Sequence, residues 1–280
     1  MKKTQLAALL AIAGASAAGS AQALIINPTG DANTLSTTIL GSGIAISNVR
    51  YTGDAAAAGT FSDGLASGLG INSGIILTTG AAANAVGPNV ADDFTKSNFT
   101  AGDTNLDALV APLSTNDASV LEFDFTTTGG NVFFNYVFAS EEYNEFTHTQ
   151  FNDVFGFFLD GVNIALIPGT TTPVSINSVN GLDNTAYYND NERGTTSVPF
   201  NIEYDGFTDV FTATALGLTS GLHRIKLAIA DTSDTNFDSA VFIQARTFSD
   251  TTTVPEPSAL LLMALGLAGF GMARNRVSKV

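Results

Sequence analysis

Short stretches of alternating apolar and polar residues run through the middle of the chain. In residues 121–125 the apolar side chains fall on one face and the acids on the other, as in a half-buried antiparallel strand. Residues 132–139 and 154–159 are apolar on both faces, so we expect these two strands inside a sheet. Further strands are predicted over residues 162–167, 208–214, 222–231 and 240–248, each bounded by Gly, Asp, Asn or Ser.

The region before residue 119 is less regular. We expect strands over residues 38–46 and 48–51, a loop over 53–70 and a buried strand over 74–80 that ends in a glycine turn. Residues 87–117 are polar and irregular, with one short helical turn predicted from 106 to 110. Strands at this spacing, without helical periodicity between them, predict an all-β fold: an antiparallel β-sandwich, jelly-roll-like in arrangement.

The N-terminus has the pattern of a targeting segment. Two lysines precede an apolar run over residues 6–13, and small residues follow as far as Ala21 and Ala23. This order predicts a secretory signal peptide over residues 1–23, recognised by the Sec translocon and cleaved after Ala23 by signal peptidase. An uncleaved membrane helix is the alternative, but the run is shorter than the ~20 residues that such a helix needs.

The C-terminal segment, residues 251–280, combines a helix breaker, an apolar run and a basic end. Pro255, Glu256 and Pro257 come first, and the apolar run over residues 258–272 predicts a hydrophobic helix. This helix is short for a permanent span of ~20 residues. We therefore expect it either to contact the membrane as an anchor or to act as a transient processing signal.

These three parts, in this order, resemble the PEP-CTERM sorting signal of Gram-negative bacteria. The resemblance implies export through the inner membrane, where an exosortase recognises Pro-Glu-Pro and removes the tail. The protein would then reach the cell surface, the outer membrane or the extracellular matrix of a biofilm. A plain tail-anchored membrane protein is the alternative.

The region between the two ends resembles the choice-of-anchor L domain, a family of bacterial surface proteins that join this module to varied C-terminal anchors. Four segments carry the resemblance: residues 74–80, 135–146, 151–161 and 231–241. It implies one surface domain over residues 24–250, followed by a sorting anchor. It implies no particular biochemical activity.

Charge and cysteine content narrow the possible partners. The chain carries a formal net charge of −15 at pH 7, which argues against nucleic acid or anionic lipid as a partner of the domain. Because the chain has no cysteine, disulfides and Cys-ligated metals are excluded. Cations that prefer oxygen ligands, above all calcium, remain possible.

Acidic residues stand at the ends of three predicted strands. Those that could bind a metal are Glu141, Glu142, Asp153, Asp231, Asp234 and Asp238. Antiparallel strands bring alternate ends together, so the three groups could meet at one edge and share a calcium ion. The arrangement is similar to that of calcium-binding CUB-type domains. Alternatively, these residues only terminate strands and form turns through local hydrogen bonds.

We expect no catalytic activity. The chain has two histidines, and neither lies in a metal or triad motif; His148 is expected in a surface loop and His223 packed or at a strand end. Glu141 and Glu142 are adjacent, so in an extended strand they point to opposite faces. They would make a poor pair for a retaining glycosidase, which needs carboxyl groups about 5–5.5 Å apart.

Aromatic residues are concentrated in the two predicted inner strands. Seven of them could form either a sugar-binding platform or the sandwich core, and the core is favoured: Phe133, Phe134, Tyr136, Phe138, Phe155, Phe157 and Phe158. Tyr187 and Tyr188 lie in a polar stretch and are expected to be more exposed, so a carbohydrate site would be sought there first.

The sequence thus predicts an exported cell-surface or matrix protein that acts by adhesion or by binding exopolysaccharide. Two alternatives remain open: an extracellular carboxylate-based hydrolase that acts on polysaccharide, and a surface-layer component that self-assembles.

Overall fold

The computed structural model of the protein describes residues 22–41, 44–194 and 200–251. The predicted signal peptide as far as Ala21 lies outside these residues. So do the predicted C-terminal helix and the residues Pro255, Glu256 and Pro257. Within the described ranges, no helix is long and apolar enough to cross a membrane.

Strands dominate the described chain, with a few short helices between them. In chain order the elements are β1 (Ile25–Pro28), α1 (Ala32–Ile39), β2 (Ala45–Thr52), β3 (Ala58–Ser62), α2 (Gly64–Ser67), β4 (Gly74–Thr78), α3 (Thr104–Val110), β5 (Thr115–Thr127), β6 (Gly130–Ser140), β7 (Val154–Leu159), β8 (Val162–Asn163), β9 (Tyr188–Asp190), β10 (Gly206–Thr208), β11 (Phe211–Leu218), β12 (Gly221–Thr232) and β13 (Ser239–Gln244). This confirms the predicted all-β class.

Two antiparallel sheets pack against each other as a sandwich. The larger sheet has the order β1-β3-β4-β13-β6-β10-β9, with β11 also paired to β6. The smaller sheet has the order β2-β5-β12-β7-β8. The two doubly apolar segments of the sequence are β6 and β7, and each lies inside its sheet, as predicted.

Aromatic rings of β6 and β7 fill the space between the sheets. The ring centroids of Phe134 and Phe157 are 4.9 Å apart, as are those of Phe138 and Phe155. Tyr136 packs edge-on against Phe157, also at 4.9 Å. These rings are fully buried and form the core rather than a sugar-binding surface.

Both outer faces of the sandwich are partly covered. Loop residues such as Tyr204 pack on Phe242 at the outside of the larger sheet. Helix α3 covers the outside of the smaller sheet, where Leu106 joins Val154 and Phe158 in a small apolar cluster. This coverage explains why β6 and β7 are apolar on both of their faces.

Two expectations for the N-terminal region were wrong. Residues 38–46 are not one strand, because α1 runs to Ile39 and β2 begins at Ala45. Asp31 caps α1 by accepting a hydrogen bond from the backbone N–H of Thr34 at 2.9 Å, and Leu35 and Ile39 bury the helix face. Residues 53–70 are not all loop, since they contain β3 and α2. The helical turn at 106–110 is confirmed as the end of α3.

The strand register gathers several strand ends at one end of the sandwich. Ser140, the last residue of β6, pairs with Ser239, the first of β13. Ala230, near the end of β12, pairs with Val154, the first of β7. The acidic residues that flank these strands therefore lie close to one another.

Candidate cation-binding site

Four of the six predicted ligands come together at this end of the sandwich. Glu142 follows β6, Asp153 precedes β7, and Asp231 and Asp234 lie at and just beyond the end of β12. The pKa of Glu142 is raised by burial and by the negative charges of Asp153 and Asp234. Burial and the charge of Asp153 likewise raise the pKa of Asp231. We call these four residues the Glu142 cluster.

Two oxygens of the Glu142 cluster are buried without a partner. Glu142 Oε2 and Asp231 Oδ1 accept no hydrogen bond from any described residue, and each of these side chains is 1% exposed. A buried carboxylate without donors is costly, and the cost is larger still when a second carboxylate lies beside it. The cluster therefore needs either protons or a cation.

Asp153 is the best-held member of the Glu142 cluster. It accepts hydrogen bonds from the backbone N–H of Thr232 at 3.0 Å and from Ser239 Oγ at 2.7 Å, and it shares a hydrogen bond with Asp231. Its pKa is nevertheless raised, because its complete burial outweighs these bonds. The bonds fix the position of its carboxylate, which gives the cluster one rigid member.

Asp238 serves a different purpose from the one predicted. Its carboxylate accepts two hydrogen bonds from the backbone N–H of Lys96, at 3.0 and 3.1 Å, and further bonds from Asn84 and Ala81. It therefore fastens the irregular segment around Lys96 to the start of β13. The negative charge of Asp238 also raises the pKa of both Glu141 and Asp231, so Asp238 lies near each of these two acids.

Glu141 belongs to a second group of acids, which the sequence did not indicate. Burial raises its pKa to about 11, and the negative charges that act on it most strongly are those of Asp205 and Glu203, followed by Asp238 and Asp92. We call Glu141, Glu203 and Asp205 the Glu141 cluster. The alternation of Glu203, Tyr204 and Asp205 was the one available signal, since it puts both acids on the same side of the chain.

Neither cluster has a metal-coordinating geometry as it stands. Across the described ranges, no three Asp, Glu, His or Cys side chains form a group that could hold a metal ion. The carboxylates would have to turn towards a shared ion for one to bind. In the described structure the two clusters are therefore groups of mostly buried acids, and Arg193 acts on Glu203 of the Glu141 cluster.

Comparison with protein families agrees with the sequence resemblances. The model of the choice-of-anchor L domain matches residues 25–249. The chain belongs to the choice-of-anchor L domain family. The model of the PEP-CTERM protein-sorting motif matches residues 253–276. Neither a search of curated proteins nor a search of solved structures found a match.

The sorting motif that follows the choice-of-anchor L domain indicates where the cell delivers this domain. A PEP-CTERM motif implies export, exosortase processing and membrane-associated sorting to the surface of a bacterial cell. Both families are defined by surface anchoring and sorting rather than by an enzymatic reaction.

Each histidine of the choice-of-anchor L domain pairs with an aspartate that belongs to neither carboxylate cluster. His148 is an exposed loop residue whose Nε2 is 2.6 Å from Asp183 Oδ2. His223 is buried at the start of β12, whereas the Glu142 cluster surrounds the other end of that strand. Its imidazole contacts Asp160 Oδ2 at 2.6 Å, and this hydrogen bond raises its pKa. Both histidines are where the sequence placed them.

The two tyrosines proposed for sugar binding are only half exposed. The Tyr187 ring packs edge-on against Phe211 at 5.2 Å, and the Tyr188 ring packs against Tyr143 at 4.9 Å. The Tyr188 hydroxyl also contacts Asn144 Oδ1 at 2.9 Å. Each ring therefore packs against another aromatic ring of the domain rather than standing free in solvent.

Proposed function

We propose that the protein is an exported, non-catalytic surface protein that binds exopolysaccharide through calcium held by the Glu142 cluster. The sorting motif and the family support delivery to the cell surface. The observation that supports the calcium site is the pair of buried, unpartnered oxygens, Glu142 Oε2 and Asp231 Oδ1, among four carboxylates.

Calcium is the cation that best suits these donors. It takes six to eight oxygen ligands and tolerates irregular geometry, whereas Zn²⁺ favours His and Cys. The cluster offers only oxygens, and the hydrogen-bonded Asp153 would provide a fixed point for the ion. The other side chains would close around the ion as it replaces their protons.

A calcium ion in this position would keep some coordination sites open. Glu142, Asp153 and Asp231 are buried, but Asp234 is half-buried and lies on the solvent side of the cluster. Hydroxyl groups of a sugar could fill the positions that face solvent. The ion would also offset the repulsion between this acidic chain and an anionic polysaccharide.

The arrangement of the carboxylates argues against the hydrolase alternative. Different acids act on Glu141 and on Glu142, which makes these two residues a poor pair to flank one glycosidic bond. The described histidines also lie outside both clusters, which leaves neither cluster with a histidine as general base or acid.

Co-sedimentation tests the proposal directly. The exported protein, purified from the producing cells, is mixed with isolated exopolysaccharide in calcium or in chelator. We expect co-sedimentation in calcium, loss in chelator, and loss in Glu142→Gln even when calcium is present. Glu122→Gln is the matched control, because Glu122 pairs with Arg50 on the outer face of the smaller sheet and should leave binding unchanged.

Three results would overturn the proposal. Binding that is indifferent to chelator and to Glu142→Gln would remove the cluster from recognition. Cleavage of the polysaccharide that is lost in Glu142→Gln would favour the hydrolase. Sedimentation of the protein alone, to the same extent with or without glycan, would favour a self-assembling surface layer.

A further inference from the structure

The Glu141 cluster lies beside the Glu142 cluster but is built from other parts of the chain. Glu141 directly follows β6, and Asp205 directly precedes β10, which pairs with the end of β6. The backbone N–H of Val90 and that of Ala91 each donate to Glu203 Oε1 at 3.1 Å. Asn89 Nδ2 donates to Asp205 Oδ1 at 2.6 Å, so residues 89–91 are fastened to this cluster.

Three buried oxygens in this group have no partner among the described residues. They are Glu141 Oε2, Asp205 Oδ2 and Asn89 Oδ1. When the two carboxyl groups are ionised, all three oxygens can only accept hydrogen bonds or bind a cation; Asn89 already uses its amide nitrogen as the donor to Asp205. Glu141 is 1% exposed and Asp205 is 0% exposed, so bulk water does not hydrate these carboxylates.

Within the described ranges, basic residues do not neutralise the centre of this group. Arg193 lies at its rim, where its guanidinium is 3.5 Å from the half-exposed Asp92, and it acts on Glu203. The charges that act most strongly on Glu141 are all acidic. Three unpartnered acceptors with acidic neighbours form a pattern that a cation would complete.

We propose that Glu141, Asp205 and Asn89 hold a second calcium ion, separate from the one assigned to the Glu142 cluster. The donors are two carboxylates and one amide oxygen, which is a ligand set that calcium accepts. Glu203 would stay outside the coordination shell, because backbone N–H groups already occupy its oxygens. This ion would fasten residues 89–91 to the ends of β6 and β10.

The second site does not depend on the first. Glu141 and Glu142 are adjacent, carry the same side chain and are equally buried, so the same substitution at each gives a matched pair. Replacing either glutamate by glutamine removes a carboxylate that could bind the ion and preserves the shape of the side chain. The two variants therefore report on the two clusters one at a time.

Equilibrium dialysis of the full exported protein with calcium counts the bound ions. We expect two ions per chain in the wild type, one in Glu141→Gln and one in Glu142→Gln, and none in the double variant. In thermal melts, Glu141→Gln should unfold at a higher temperature than the wild type in chelator, because a buried glutamine does not have to take up a proton on folding. It should unfold at a lower temperature than the wild type in calcium, because one ion is lost.

The two proposals fail in distinguishable ways. One ion, lost in Glu142→Gln and kept in Glu141→Gln, overturns the second site and leaves the first. One ion, lost only in Glu141→Gln, supports the second site and overturns the first. No ion in the wild type overturns both. If Glu141→Gln does not fold, Asn89→Ala provides the same test, and an unchanged ion count in that variant contradicts the second site.

Discussion

Glu141 and Glu142 are neighbours in the chain, yet their carboxylates belong to two different buried clusters. The charge of Asp205 acts on Glu141, and that of Asp153 acts on Glu142. Both residues lie in the bend that directly follows β6, where different parts of the chain surround each carboxylate. One pair of acids just beyond β6 thus contributes to two separate buried clusters.

Six of the buried acids in the described chain fall into two kinds. Asp117 and Asp238 are satisfied by backbone N–H groups of the irregular segment that precedes β5: Asp117 accepts from Asn98 at 2.8 Å, and Asp238 accepts from Lys96 at 3.0 Å. Glu141, Glu142, Asp205 and Asp231 each keep one unpartnered oxygen. The first kind holds a loop in place, and the second kind requires a proton or a cation.

The pH dependence of stability should reveal the second kind of acid. Burial raises the pKa of Asp205 to about 7 and that of Glu141 to about 11. Above the ordinary carboxyl pKa near 4, the folded state therefore holds protons that the unfolded state has released. For each such proton, the free energy of unfolding falls by about 1.4 kcal/mol for every unit by which the pH rises. In chelator we expect the melting temperature to fall from pH 5 to pH 8.

Calcium should flatten this pH profile, because a bound cation replaces the protons. His223 also has a raised pKa and loses stabilisation as the pH rises, but its contribution does not respond to calcium. Melts at each pH, with calcium and with chelator, therefore separate the two contributions. A melting temperature in chelator that stays level or rises from pH 5 to pH 8 would contradict this interpretation of the buried acids.

Gly80 should be essential for the position of Asp238. A Cβ atom at residue 80 would lie 1.6 Å from Asp238 Oδ2, so no residue other than glycine fits there unless Asp238 moves. Gly80→Ala should displace Asp238 from the Lys96 backbone and lower the free energy of unfolding by roughly 2–4 kcal/mol. Urea unfolding measures this loss. Gly181→Ala is the control, since its nearest neighbour would be 3.9 Å away and no change is expected.

The assignment of the aromatic residues to the core can be tested at Phe157. Its ring contacts Phe134 and Tyr136, each at 4.9 Å, and it is completely buried. Phe157→Ala should cost about 3–5 kcal/mol of stability in urea unfolding. Leu182→Ala, at a side chain that is 76% exposed, should change stability by less than about 0.5 kcal/mol. A loss of glycan binding in Phe157→Ala at unchanged stability would instead support a sugar platform.

The sorting motif makes a separate prediction about the C-terminus. If an exosortase recognises Pro255, Glu256 and Pro257, Glu256→Ala should leave the tail on the protein and hold it in the membrane fraction. Mass spectrometry of the wild type from the same cells should show the tail removed. Equal release of both forms to the cell surface would argue against recognition of this motif.

Much of the sandwich could be predicted from the sequence because its inner strands carry unambiguous patterns. β7 occupies the predicted residues 154–159, and β6 extends the predicted 132–139 by a few residues at its ends. α1 was missed because its Ser and Thr residues favour strands and turns, and Leu35 and Ile39 are its main apolar signal. The tertiary packing of those two side chains decides in favour of the helix.

The candidate sites were predictable only in part. Antiparallel strands bring alternate strand ends together. The sequence therefore predicted that Glu142, Asp153 and Asp231 lie near one another. Asp205 could not be assigned in the same way, because β10 is three residues long and its pairing with β6 depends on the fold. Asp238 lies just before a strand, as the sequence suggested. The sequence could not show that its carboxylate accepts a hydrogen bond from the backbone N–H of Lys96, which is far away in the chain.

A thermal melt of the exported protein, with calcium and with chelator, tests the central claim most directly. At a calcium concentration of 100 times Kd, a ligand bound only by the folded state adds about 2.7 kcal/mol, which is roughly 5–10 °C for a domain of this size. We predict such a rise in the wild type and a clearly smaller one in Glu142→Gln. Equal melting temperatures of the wild type in calcium and in chelator would contradict the assignment of the Glu142 cluster as a cation site.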